Sequence, residues 1–172
     1  MPQTLRLETL TEAGRLTFNI IRTLTTNRAY DERWLHGVVL GILEAKVGDM
    51  QYEFPIVGGR IDMRHGTSNP DVVELVVVRR GNEWHASQNL SELQKLCSVP
   101  YSRARRRILL ILDPFGEPVP EQQMRQNYAN NAMRGIFERR TVTIIYVNPR
   151  AEYTFRWTPQ RARRTATTRQ RI

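Results

Sequence analysis

Cysteine, lysine and histidine are all scarce in this chain, and each shortage excludes something. One residue in 172 is cysteine, Cys97, so the chain has neither an internal disulfide nor a zinc site built on thiolates. A reducing, cytoplasmic setting is the expectation that goes with it. The three histidines, His36, His65 and His85, show no metal-ligand spacing. Only two of the 26 basic residues are lysines, Lys46 and Lys95, so any chemistry that needs an ammonium must use one of them. No apolar run approaches the roughly 20 residues of a membrane span. The opening MPQTLRLETLTEAGR has no apolar stretch of signal-peptide type, so neither membrane insertion nor secretion is expected. There is no Gly-X-X-X-X-Gly-Lys phosphate loop and no serine motif of a Ser-His-Asp hydrolase.

What is present describes a globular protein, with 40% hydrophobic and 25% charged residues. The length suits one domain, expected over residues 1–157. Charge is divided unevenly. Residues 1–100 carry a net charge of −1 and residues 101–172 a net charge of +10. A cationic half of this kind attracts polyanions, nucleic acid first. The last stretch, 158–172, holds five arginines and no acid and reads as a mobile basic tail. Arg161, Arg163 and Arg164 within it are candidates for phosphate contact.

Hydrophobic period divides the chain into elements. Residues 11–25 predict a helix, with Leu16, Ile20 and Leu24 on one stripe. Residues 29–46 predict a second, whose buried side holds Trp34, Leu35, Val38, Val39, Ile42 and Leu43. The period then shortens to two. Residues 52–57 and 60–64 read as strands around Gly58-Gly59, with HGTSNP as the loop that follows. DVVELVVV, residues 71–78, is apolar on both faces except at Glu74, the pattern of a central strand covered on both sides. A helix follows over 87–97 with Ser87 as its cap, then a strand RILLIL at 107–112 and a polar, amide-rich helix over 120–137. Strands at 141–147 and 153–157 end the series. The order α-α-β-β-β-α-β-α-β-β predicts an α/β protein with a mixed sheet flanked by helices.

Glu74 carries the most information. A carboxylate within VVELVVV is costly to bury without a partner. Asp62 lies on the polar face of the preceding strand, and pairing across the HGTSNP loop brings the two acids side by side. Two adjacent carboxylates repel unless a cation or a shared proton intervenes. Oxygen-only ligands of this kind suit Mg²⁺ or Mn²⁺. A second register, Pro70-Asp71 with Glu83, ranks below the first because it leaves Glu74 unexplained.

EFPIVGGRIDMRHGTSNPDVVELVVVRR resembles the core of the PD-(D/E)XK nuclease superfamily, the restriction-endonuclease-like fold. Gly59-Arg60-Ile61-Asp62 is similar to its aspartate segment, and Val73-Glu74-Leu75 to the start of its Glu-X-Lys strand. DERWLHG, with His36, resembles the preceding helix, with Glu32 or Glu44 as the helix acid. SELQKL and RRRILLIL resemble the helix and strand that follow the site, so the resemblance spans roughly residues 30–147, which it implies are the core of the domain. The resemblance implies a Mg²⁺- or Mn²⁺-dependent nuclease acting on DNA ahead of RNA. Asp62, Glu74 and Glu44 would be metal ligands, and Asp62, Glu74 and Lys95 the catalytic set. One position departs from the pattern: the lysine of Glu-X-Lys is Val76. Lys95 on the next helix is the expected replacement, with Lys46 behind it. Arginine can stabilise charge there but does not lose a proton. The alternative is a degenerate relative that binds nucleic acid or serves as an assembly subunit. Homodimers are common in that superfamily, and a dimer or larger assembly is expected on that ground alone. Arg60, Arg79, Arg80, Arg103, Arg105 and Arg106 complete the expected nucleic-acid-binding set, with Tyr101 beside the last three.

Overall fold

A computed structural model describes residues 4–24, 32–56, 59–79, 82–99, 103–130 and 140–159. Its elements are α1 (Leu7–Leu24), α2 (Glu32–Val47), β1 (Met50–Ile56), β2 (Gly59–His65), β3 (Asp71–Val77), α3 (Leu90–Ser98), β4 (Arg106–Leu112), α4 (Glu121–Asn130), β5 (Val142–Asn148) and β6 (Ala151–Trp157). The order is the one the hydrophobic periods predict. The basic tail, and the part of the polar helix expected beyond residue 130, fall outside the described residues.

Six strands form one mixed sheet in the order β1-β2-β3-β4-β5-β6. β1, β2 and β3 are antiparallel in succession, β3, β4 and β5 are parallel, and β6 returns antiparallel to β5. Each parallel step needs a crossover, and α3 and α4 supply them. Both steps run the same way along the sheet, so right-handed crossovers put both helices on one face. α1 and α2 cover the other. Val73, Leu75 and Val77 of β3 pack with Ile108, Leu110 and Leu112 of β4 beneath α1 and α2. Val72, Val76, Leu109 and Ile111 pack beneath α3 and α4. All seven residues of β3 are buried, as a strand without polar alternation requires.

The buried face of α1 is one position round from the expected stripe. Leu10, Ala13, Thr17, Phe18 and Ile21 are buried, while Leu16 is exposed. Close approach explains the rotation: a Cβ at Gly14 would stand 2.8 Å from Leu112 Cδ2. Small residues bring this helix onto the sheet, and the side next to them is buried. Trp34 also departs from expectation. α2 buries Leu35, Val39 and Leu43, which leaves Trp34 about 100° round the helix and exposed. Ser87 does not cap α3. The N-cap is Asn89, whose side chain donates instead to the Glu83 carbonyl.

Candidate acidic site at the β2–β3 split

β1 and β2 pair from Met50↔His65 to Ile56↔Gly59, but β2 and β3 pair only from His65↔Asp71 to Met63↔Val73. Past Met63 the two strands separate. Ile61 packs in the α3 layer and Met63 in the α1–α2 layer, so β2 rotates between them. Asp62 sits at that rotation. Its Oδ2 accepts the Leu75 N–H at 2.8 Å, satisfying a β3 amide that β2 backbone no longer reaches. His36 of α2 approaches from the other layer, its Nδ1 3.8 Å from Asp62 Oδ1.

Glu74 precedes that amide and projects toward α3. Its side chain is 0% exposed, and Oε2 accepts from Lys95 Nζ at 2.8 Å. Lys95 also stands 2.7 Å from Glu92 Oε2, one turn back on α3. The helix is seated by Leu93, Leu96 and Cys97, and the lysine stem extends from this anchored face. Its Cδ is 3.6 Å from where a Cβ at Gly59 would stand, so the stem crosses the start of β2. Asp62, Lys95 and Glu92 are each partly exposed and form the rim above Glu74.

The electrostatics are unbalanced toward the acids. Burial, then the Asp62 charge, push the Glu74 carboxyl up to about 9, and Lys95 opposes them without prevailing. Burial pulls the Lys95 ammonium down, but hydrogen bonds to Glu74 and Glu92 outweigh it and hold the group above the ordinary lysine value. Glu74 Oε1 is buried with no hydrogen-bond partner among the described residues. The cluster thus has acceptor capacity that its single ammonium leaves unused.

Asp62, Glu74 and Lys95 therefore meet, as expected. Val76 is buried on the α3 face of β3 and takes no part. Glu44 is a correction: its Oε2 accepts the Met50 N–H at 2.8 Å, and it lies two turns beyond His36, about 12 Å along the helix. It ties the end of α2 to the start of β1. Glu32 is the first residue of α2, one turn before His36. Lys46 pairs with Glu12 at 2.8 Å and joins α2 to α1. Sequence reasoning left His36 and Glu92 out of the site. The i,i+3 spacing of Glu92 and Lys95 was a usable signal, whereas nothing local places His36 against Asp62.

The second register fails on Asp71. This fully buried carboxylate receives Arg105 Nε at 3.0 Å and Arg106 Nε at 2.9 Å, with further bonds from both Nη2 groups. Burial pushes it up, but the two guanidinium groups outweigh that and hold it below the ordinary aspartate value. Arg106 also donates to the Leu5 carbonyl. Glu83 accepts the Arg79 N–H and stays apart from the cluster. Arg105 and Arg106 are thus structural clamps as well as surface cations. Arg60 pairs with Glu53 at 2.7 Å on the surface, and Arg103 is exposed. Arg80, Tyr101, Arg161, Arg163 and Arg164 lie outside the described residues.

No family model, curated protein or solved structure matches this chain. Among the described residues, no helix is long and apolar enough to cross a membrane, and no group of three or more His, Cys, Asp and Glu residues is arranged to hold a metal ion.

Proposed function

We propose that this chain is a phosphodiesterase of the PD-(D/E)XK type that cleaves DNA, with the motif lysine moved from the strand to α3. The observation that carries the reading is the Lys95–Glu74 contact of 2.8 Å beside Asp62, at the point where β2 leaves β3. The order α2-β1-β2-β3-α3-β4 follows that of the restriction-endonuclease-like core. Val76 lacks the motif amine, and one of only two lysines in the chain reaches the same acid from the next helix.

The residues present fit a Mg²⁺ or Mn²⁺ ion. Mg²⁺ is commonly held by one or two carboxylates, with water and substrate phosphate completing its shell. Asp62 and Glu74 supply two carboxylates, and Glu74 Oε1 is buried with no donor among the described residues. When bound, the ion would polarise the phosphodiester and lower the pKa of water. The chain's own groups do the rest. Asp62 is held by the Leu75 amide on one side and faces His36 on the other. Lys95, kept charged, suits stabilisation of negative charge on the phosphoryl oxygens rather than removal of a proton.

A second reading has its own support. Glu74 is fully buried and its carboxyl is pushed up to about 9, so in the free protein the site is protonated and covered. That suits a nuclease-fold protein that binds nucleic acid without cutting it. The two readings separate on one experiment. Wild-type protein is incubated with single-stranded, duplex and branched DNA in Mg²⁺ or Mn²⁺, beside Asp62→Ala and Glu74→Ala. Cleavage that both variants lose while keeping DNA binding supports the enzyme. Binding without cleavage across these substrates and metals rejects it in favour of the binding protein.

A further inference from the structure

A cavity of about 630 Å³ opens at the end of the sheet where β4 and β5 begin and β6 finishes. Arg105, Arg106, Arg107, Arg125 and Arg156 line it, together with threonine hydroxyls that include Thr143. None of the lining residues described is acidic. Arg105 and Arg106 share the single charge of Asp71, which leaves one positive charge in surplus. Arg107, buried beneath them, gives Nε and Nη2 to the neutral Val99 carbonyl. Arg125 pairs with Glu121, and its guanidinium lies over the Phe155 ring, 4.7 Å from its centre. Arg156 is exposed and has no carboxylate partner among the described residues.

Arg156, Thr143, Ile108 and Val73 form one row across β6, β5, β4 and β3. Three strand spacings of about 4.8 Å separate Arg156 from β3, while Arg106 and Arg107 bring the cavity within one spacing of it, opposite Asp71 and Val72. Thr143 and Thr154 lie on the α1 side of the sheet by alternation with Ile145, and Phe155 and Arg125 lie on the α4 side. The cavity thus wraps the end of the sheet, and none of Asp62, Glu74, Glu92 and Lys95 lines it. The cavity is therefore a separate place from the acidic cluster. It needs neither a metal nor the carboxylates of that cluster.

We propose that this cavity binds clustered phosphate groups, carried either by a nucleic-acid strand or by a free nucleotide. Its polar lining consists of arginines and threonines, so the polar part of a ligand that suits it is rich in acceptors. Guanidinium forks match phosphate oxygens in pairs, which ammonium groups do not. The volume lies within the roughly 300–1,000 Å³ of small-molecule sites. It equals that of on the order of twenty waters at about 30 Å³ each, more than one phosphate fills. The ligand is thus of nucleotide size or larger.

The test measures binding by the full chain in EDTA, so cleavage plays no part. The probes are a labelled 5′-phosphorylated oligo(dT), with dTTP and inorganic pyrophosphate as competitors. Arg156→Glu and Arg125→Glu change exposed side chains and leave the Asp71 clamp in place. Each should raise the Kd for the oligonucleotide about tenfold, and each should reduce the slope of log K against log salt by about 0.7. Arg150→Glu, in the β5–β6 turn at the far end of those strands, should do neither. Displacement by dTTP, with pyrophosphate the weaker competitor, assigns the site to free nucleotides. Displacement by unlabelled oligonucleotide alone assigns it to a strand. Either result supports the cavity. Unchanged Kd and salt slope in the Arg156→Glu/Arg125→Glu double variant would overturn the proposal, as would failure of the wild type to bind any probe. Asp62→Ala and Glu74→Ala should leave this binding intact, so loss of the nuclease reading would not count against the cavity.

Discussion

Asp71 and Glu74 stand three residues apart on β3, both with side chains 0% exposed, yet they are opposites. Asp71 meets two guanidinium groups, and its carboxyl is held low. Glu74 meets one ammonium together with Asp62 and Glu92, and its carboxyl is pushed high. The first cluster has more positive charge than it needs, and the second has less. A buried acid whose hydrogen bonds are met by fixed guanidinium groups locks strands together. A buried acid with an unmet oxygen and a second acid beside it is strained electrostatically, and such strain gathers at sites that handle charge. Burial alone does not tell these two apart. The sign of the surrounding charge does.

The largest effect expected from this contrast is on Asp71. Asp71→Asn leaves two guanidinium groups without their shared carboxylate and should cost about 3–5 kcal/mol in chemical denaturation at neutral pH. The carboxyl is held below its ordinary value, so its contribution is present above the unfolded pKa and is lost as pH falls through the folded one. The variant's stability curve should therefore be flatter on the acid side. A cost below about 1 kcal/mol would show the clamp to be a surface pair in effect.

Glu74→Gln should act in the other direction. The folded chain holds the Glu74 proton up to about 9, while the unfolded chain releases it near the ordinary glutamate value. The wild type accordingly loses stability as pH rises between those values, by up to about 1.4 kcal/mol per pH unit. The amide has no proton to lose, so the difference between variant and wild type should grow in the variant's favour from pH 5 to pH 9. A constant difference would mean that Glu74 is ionised and fully paired with Lys95.

Cation binding sharpens the same point. An ion held by Glu74 displaces that proton, so Mn²⁺ affinity measured by calorimetry should rise with pH below about 9, by at most tenfold per unit. Buffers of different ionisation enthalpy should report the proton released. A pH-independent affinity would place the ion away from Glu74. The smallest effect belongs to the exposed Arg60–Glu53 pair, where Arg60→Ala should cost only about 0.2–1 kcal/mol.

Much of this was legible beforehand. Periods of two and 3.6 residues place all ten elements in order, because each element buries a face and its sequence records which. The meeting of Asp62 and Glu74 was legible from strand pairing across the HGTSNP loop, whereas Lys95 entered as what the resemblance implied in place of Val76. Other features were not legible. The polar Arg105-Arg106 reads as a solvated edge until the parallel register sets Asp71 opposite Arg106. Glu44 reads as a helix acid near the site until helix length carries it two turns away to the Met50 amide.

The sequence by itself determined the element order and the doubly covered central strand, because these follow from local period, and a count of amines narrowed any ammonium partner of Glu74 to Lys46 or Lys95. Tertiary structure alone decided that β2 breaks from β3 at Asp62, that His36 arrives from the opposite layer, and that five arginines gather around one cavity. Those outcomes depend on register and on the approach of distant segments. Both are set by side-chain packing across the sheet, and no stretch of neighbouring residues records them.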